Sequence, residues 1–157
     1  MINFHNVDCM DFMRGLPDKH YSLCIVDPPY GIGCNLKGGG SHSGKNGWAG
    51  TMAKTDEWNT APSNDYWDEL RRVSLNQIVW GGNYFPLPPS QGWIFWDKGQ
   101  RDFSLADGEL AWTSFNRALR VFELSRGVAN QDNRIHPTQK PVALYRWLLK
   151  NYAKPGW

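Results

Sequence analysis

Long hydrophobic runs are missing from this chain of 157 residues. The longest extend over about four residues, whereas a membrane helix needs roughly 20. The N-terminus also lacks a basic region followed by an apolar one, which is the mark of a secretory signal. We therefore expect a cytoplasmic protein that has no membrane partner.

Cysteine and net charge are also scarce. The three cysteines, Cys9, Cys24 and Cys34, form no C-x-x-C pair, which argues against a disulfide framework and against a zinc site. We expect no metal. Seventeen basic residues against fifteen acidic ones give a net charge of +2, which permits a nucleic-acid partner without requiring one.

Apolar and aromatic residues are plentiful enough for one domain with a packed core, since they make up 41% of the chain and include nine tryptophans. Continuous apolar runs predict buried strands, and each run ends in polar residues or glycine. The predicted strands are Tyr21 to Val26, Gln77 to Trp80 and Trp93 to Trp96, with weaker candidates at Glu109 to Thr113 and Leu119 to Leu124.

Helical spacing of apolar residues predicts three helices, at 8–14, at 65–73 with Asn64 as its cap, and after Pro141 as far as Tyr152. The second of these lies between the first two strands and so forms a βαβ unit with them. The sequence therefore predicts an α/β fold, in which ligands bind beyond the carboxyl ends of the strands. Residues 31–63 are rich in glycine and lysine and are expected to form a long mobile loop within the single domain.

The sharpest chemical signal is Asp27-Pro28-Pro29-Tyr30, directly after the first strand. Two prolines fix the backbone, and the Asp27 carboxylate and the Pro28 carbonyl remain as acceptors with no neighbouring N–H to occupy them. Two fixed acceptors suit a ligand with two donors, such as the exocyclic amino group of a nucleobase. Tyr30 adds a flat face on which an extruded base could stack. The alternative is a Pro-Pro turn with a capping aspartate.

In its strand context this tetrapeptide resembles the catalytic motif of the DNA amino-methyltransferases, which methylate the exocyclic nitrogen of adenine or cytosine. A second block about a hundred residues later, Arg134 to Pro141, is similar to the family's cofactor-side motif. The order of the two blocks matches the permuted class, in which the catalytic half comes first. The opening residues Asn6 to Asp11 also resemble the family's start, so the likeness extends over nearly the whole chain.

The resemblance implies a Rossmann-like sheet with flanking helices, S-adenosylmethionine as cofactor and double-stranded DNA with a flipped base as substrate. It implies that Asp27, Pro28, Pro29 and Tyr30 are catalytic and favours adenine, because cytosine enzymes more often carry serine at the first motif position. It also implies that Asp8, Thr138, Gln139 and Lys140 bind the cofactor. Lys37, Lys45, Lys98 and Arg101 are expected to contact DNA phosphates, although each could equally be a solvated side chain.

The likeness breaks at the C-terminus, because the family continues into a strand and a glycine-rich turn that hold the cofactor. The sequence therefore predicts an incomplete cofactor half, and its activity as an enzyme stays open. The alternatives are a non-catalytic DNA-binding remnant and half of a split methyltransferase. A methyltransferase acting on RNA or on a protein amide is a third reading. The strand before Asp27 would become an exposed sheet edge, through which the chain self-associates or binds a completing polypeptide.

Overall fold

The computed structural model describes residues 2–32, 59–101, 106–129 and 139–157. Their helices are α1 (Cys9–Arg14), α2 (Asn64–Val73), α3 (Arg126–Ala129) and α4 (Val142–Tyr152). Their strands are β1 (Tyr21–Val26), β2 (Ser74–Trp80), β3 (Trp93–Asp97), β4 (Gly108–Thr113) and β5 (Arg120–Glu123), and a short 3-10 turn spans Gly82–Tyr84.

The five strands form one mixed sheet in the order β1-β2-β4-β3-β5. Strands β1 and β2 are parallel neighbours joined through α2, so the predicted βαβ unit is confirmed. Strand β4 runs antiparallel to both β2 and β3 and lies between them. Because of this reversal, the first residues of β4 lie beside the carboxyl ends of β2 and β3, at the same end of the sheet as the carboxyl end of β1.

Residues on opposite faces of the sheet enter two separate cores because side chains alternate along a strand. On one face, Ile78 and Trp80 of β2 pack with Leu144 and Leu148 of α4. On the other face, Val79 packs with residues of α1 and α2, which include Met13, Trp67 and Leu70. The continuous apolar run of β2 therefore reflects a strand covered on both sides.

Several predicted boundaries shift by a few residues. Ser63, not Asn64, occupies the N-cap position of α2, and Pro141 is the N-cap of α4, which begins directly after it as expected. Strand β2 begins at Ser74, earlier than expected, because the polar residues Ser74 and Asn76 pair with Tyr21 and Leu23 of β1.

Strand β1 has the predicted bounds but not the predicted burial. Leu23 and Ile25 pack against one core and Cys24 and Val26 against the other, so both faces are covered as expected, but no residue of the strand is fully buried. The reason is its place in the sheet, because within the described ranges β1 pairs only with β2 and lies at an edge. No helix in the described ranges has the length and apolar character needed to cross a membrane.

Candidate active site

The catalytic motif proposed from the sequence directly follows β1, at the carboxyl edge of the sheet. Ile25 packs against the core beneath α4, and Asp27, two residues further on, is directed to the same side. The Asp27 side chain keeps 23% of its surface exposed, whereas Pro28 is buried. The Tyr30 hydroxyl donates a hydrogen bond to Oδ1 of Asp27 at 3.1 Å.

Lys140, from the second sequence block, reaches the same carboxylate. Its Nζ lies 2.8 Å from Oδ2 and 3.0 Å from Oδ1 of Asp27, and the two residues are 113 positions apart in the chain. The same Nζ lies 3.3 Å from the Tyr30 hydroxyl. Lys140 is only 8% exposed, which is unusual for lysine and requires a compensating partner. The two predicted motifs therefore meet in one site.

Glu109 is the second carboxylate that contacts Lys140. Its Oε2 lies 3.0 Å from Nζ of Lys140, and its Oε1 accepts a hydrogen bond from Nζ of Lys98 at 2.6 Å. Four charges therefore alternate along the series Lys98, Glu109, Lys140 and Asp27. We call these four side chains the charge cluster.

Antiparallel pairing explains why Glu109 belongs to this site. It is the second residue of β4, which starts at the edge of the sheet where the parallel strands end. Ala111 faces the core under α4, so Glu109, two residues before it, has the same orientation. Lys98 follows β3 directly and lies over the ring of Trp96, with Nζ 5.0 Å from the ring centroid.

Within the charge cluster, Glu109 and Lys140 stabilise each other in their charged forms. Burial by itself would raise the pKa of Glu109, but the ammonium groups of Lys140 and Lys98 outweigh burial and hold this pKa below its ordinary value. Burial would lower the pKa of Lys140, but the carboxylates of Glu109 and Asp27 raise it above its ordinary value. Asp27 therefore faces a fixed positive charge that does not titrate near neutrality.

Tyr30 is enclosed by neighbours that the sequence did not indicate. Its ring stacks on Tyr84 at a centroid distance of 5.2 Å and meets the edge of Phe85. Gly81 approaches the Tyr30 ring so closely that a Cβ at this position would collide with it. Burial raises the pKa of the Tyr30 phenol far above its ordinary value, and the nearby carboxylates raise it further, so the hydroxyl remains a donor.

A cleft of about 460 Å³ opens beside the motif. Its walls come from the start of α1, from the motif itself and from the segment that leads into α2: Cys9, Met10, Val26, Asp27, Pro28, Pro29, Thr60, Pro62, Ser63 and Tyr66. Asp8 caps α1, because its carboxylate accepts hydrogen bonds from the backbone N–H of Met10 and Asp11. The predicted Asp8 region and the catalytic motif therefore border the same cavity.

Other predicted site residues have different surroundings. Lys98, expected to contact a phosphate, is paired with Glu109, and its side chain is 15% exposed. Arg101 is more exposed but forms an ion pair with Asp97, whose pKa it lowers to about 2 with the help of the Gly99 N–H. Gln139 directly precedes Lys140.

Three predicted site residues, Thr138, Lys37 and Lys45, lie outside the described residues, as does most of the 31–63 loop. At the described ends of this loop, the Asn59 side chain forms hydrogen bonds with the backbone of Gly31 and Ile32. Its Nδ2 donates to the Ile32 carbonyl at 2.7 Å, and its Oδ1 accepts from the Gly31 N–H at 3.2 Å.

Among the described residues, no group of three or more His, Cys, Asp or Glu side chains could hold a metal ion. The charge cluster instead offers a carboxylate acceptor and buried counter-charges beside an open cleft, and Tyr30 adds a phenol donor. This arrangement can orient a polar ligand and stabilise positive charge on it.

The fold and the site define an α/β protein with a five-stranded mixed sheet and helices on both faces, compatible with a Rossmann-like fold. Neither the models of known protein families nor the curated proteins yielded a match to this chain. The function of this chain is therefore inferred from the residues of its site.

Proposed function

We propose that the chain is the catalytic region of a DNA amino-methyltransferase that uses S-adenosylmethionine and prefers adenine. The observation that carries the proposal is the contact between its two sequence blocks, with Nζ of Lys140 2.8 Å from Oδ2 of Asp27. A chance resemblance of two separate blocks would give no reason for them to meet at one carboxylate. A cytoplasmic location follows from a DNA substrate of this kind.

Asp27 has the acceptor capacity that the reaction needs. An ionised carboxylate offers about four lone-pair positions. Lys140 and Tyr30 donate three hydrogen bonds to the Asp27 oxygens, two of them to Oδ1 and one to Oδ2. Oδ2 can therefore accept one further donor, such as the amino group of a base. This hydrogen bond would orient the amino nitrogen and stabilise the positive charge that develops when it attacks a methyl carbon.

The size and lining of the cleft beside Asp27 support the choice of cofactor. Its volume of about 460 Å³ lies within the range of small-molecule sites, and Met10, Pro62 and Tyr66 give it apolar walls. S-adenosylmethionine bound there would supply the methyl group. Met10, Pro62 and Tyr66 would hold the cofactor through apolar contacts, and Asp27, which lines the same cleft, would remain beside it to bind the amino group.

Capture of a flipped base would depend on the aromatic pair Tyr30 and Tyr84. Tyr84 is 48% exposed and stacks on Tyr30, so a base could extend this stack. Stacking is worth roughly 1 to 3 kcal/mol per base, comparable to the few kcal/mol that base extrusion costs. Lys37, Lys45 and Arg101 remain the proposed phosphate contacts.

The test begins with calorimetric titration of the folded chain with S-adenosylmethionine, with and without duplex DNA. Methyl transfer from labelled cofactor to unmethylated genomic DNA is then measured, and the modified nucleoside is identified. Micromolar binding and N6-methyladenine are expected, and Asp27→Ala should abolish transfer. A methylated protein glutamine or RNA in place of DNA would contradict the proposal and establish the other substrate class.

Variants of Tyr30 test its part in base capture. Tyr30→Ala should weaken the binding of DNA that carries a mismatched adenine by about tenfold, the value of one lost stacking contact. Tyr30→Phe keeps the ring and serves as the matched control, which should retain most of the affinity. Wild-type affinity and turnover in Tyr30→Ala would contradict the stacking role.

A second candidate function is favoured by the edge position of β1, the strand that leads into Asp27. In this case the chain binds DNA without catalysis, or forms half of a split enzyme that another polypeptide completes through β1. The same titration separates the two candidates. Preference for adenine-containing DNA without cofactor binding would favour the second.

A further inference from the structure

We propose that Glu109 is a positioning residue of the active site, which holds the Lys140 ammonium against Asp27 and prevents a net positive charge at the reacting end of the site. This inference rests on the proposed function and deepens it. It assigns a role to Glu109, which neither sequence block contains, and to Lys98, which would then support Glu109 instead of binding a phosphate.

Charge balance is the first argument. Lys140 fixes the Asp27 carboxylate with two hydrogen bonds, but its positive charge also opposes the positive charge that develops on an attacking amino nitrogen. Glu109, 3.0 Å from the same ammonium, compensates for this. The four members of the charge cluster together carry no net charge, whereas without Glu109 the remaining three would carry a net charge of +1.

Directional control of the lysine is the second argument. A lysine side chain is flexible, and one carboxylate would leave its ammonium free to rotate about that contact. The Lys140 ammonium donates hydrogen bonds to both oxygens of Asp27 and to the Tyr30 hydroxyl, and it forms an ion pair with Glu109 on a further side. The ammonium also lies 5.6 Å from the centroid of the buried Trp80 ring, which closes another side. Lys140 is therefore held on several sides, and the orientation of Asp27 follows from it.

Lys98 is the outer support. Its Nζ donates to Oε1 of Glu109 at 2.6 Å, which leaves Oε2 directed at Lys140. Its side chain is only 15% exposed and lies over the ring of Trp96, so its ammonium points into the protein. These contacts favour a structural partner for Lys98 over a DNA phosphate.

The experiment compares the wild-type chain with Glu109→Gln, with Glu109→Asp and with the control Asp68→Asn. Asp68 also pairs with a cation, Arg71, but it lies on the surface of α2, far from the motif in sequence. Two quantities are measured. The first is the rate at which an amine-acylating reagent modifies Lys140, followed by mass spectrometry. The second is the preference for a duplex with a mismatched adenine over one with purine, which lacks the amino group.

We expect Lys140 to be modified about tenfold faster in Glu109→Gln, because one of the two carboxylates that pair with its ammonium is lost. The preference for adenine over purine should fall by a similar factor. Glu109→Asp should restore part of both quantities, and Asp68→Asn should leave both at wild-type values. Wild-type values of both quantities in a folded Glu109→Gln chain would overturn the proposal.

If Glu109→Gln fails to fold, Lys98→Gln provides the second test. Its effects on Lys140 modification and on adenine preference should have the same sign but be smaller. The salt dependence of DNA binding should be unchanged, because loss of a phosphate contact would lower the slope by about 0.9. A lower slope with unaltered Lys140 modification would overturn the support role.

The two proposals fail in different ways. A wild-type chain that does not distinguish adenine from purine would contradict the proposed function. In that case the modification rate of Lys140 would still decide whether Glu109 holds the ammonium. Normal adenine preference in a folded Glu109→Gln chain with unaltered Lys140 modification would leave the proposed function intact and remove Glu109 from it.

Discussion

Glu109 and Lys140 make the stability of the protein depend on pH in opposite ranges. The folded-state pKa of Glu109 is lowered, so its contribution is fully present above its unfolded pKa of about 4.3 and is lost as the pH falls through the folded value. The folded-state pKa of Lys140 is raised, so its contribution is fully present below its unfolded pKa of about 10.4 and is lost as the pH rises through the folded value.

Acid unfolding therefore tests the charge cluster at the scale of single residues. We expect the free energy of unfolding of the wild-type chain to decrease as the pH falls below about 5. Glu109→Gln should reduce the steepness of this decrease. Part of it should remain, because Asp97, with a pKa of about 2 beside Arg101, loses its contribution at still lower pH. Urea unfolding at a series of pH values measures this, and identical slopes in both chains would contradict it.

At the scale of elements, the turn after β2 supports the motif after β1. Gly81 has a φ of 68° and its N–H donates to the Leu110 carbonyl at 2.8 Å, so the turn is anchored to β4. The ring of Tyr30 occupies the space where a side chain at position 81 would lie. Position 81 therefore needs a left-handed backbone and has no room for a side chain beside the Tyr30 ring. Glycine meets both requirements.

Gly81→Ala should consequently lower the free energy of unfolding. The left-handed conformation alone costs a residue with a Cβ about 1 to 2 kcal/mol, and displacement of Tyr30 adds to this. Gly127→Ala is the matched control, since a Cβ there meets nothing within 4 Å. Urea denaturation of both variants provides the comparison. Equal stability of the two would show that the Tyr30 ring does not need the space at Gly81.

At the scale of the whole molecule, the edge position of β1 predicts self-association. An exposed strand edge with apolar side chains pairs with other strands unless it is blocked. Sedimentation should show association that increases with protein concentration. Tyr21→Lys should reduce it by placing a charge on the edge, whereas Leu75→Lys, at an exposed position of the neighbouring strand, should not. A monomer at high concentration would contradict the prediction.

The sequence predicted the strands and main helices well, because each depends on residues close together in the chain. The bounds of β1 and the end of β2 were correct. The complete burial expected for β1 was wrong, although both of its faces contact a core, because an apolar run does not show whether the strand has a partner on each side.

The candidate site was predicted only in part. Asp27 and Tyr30 were placed correctly at the end of a strand, because strand ends are local features. Glu109 was missed because it comes at the start of a strand, where ligand-binding residues are not expected in a parallel sheet. Because β4 runs antiparallel to its neighbours, its first residues lie at the end of the sheet that carries the candidate site. Antiparallel pairing depends on residues distant in the chain.

The sequence by itself determined the α/β class, the βαβ unit and the polar motif that follows β1. These depend on hydrophobic periodicity and on proline and glycine, whose effects act within a few residues. Only the tertiary structure decided that Lys140 contacts Asp27, that Glu109 joins them and that Lys98 turns inward. Such contacts depend on the order and direction of strands distant in the chain, and on buried charges that are stable only when each has a partner.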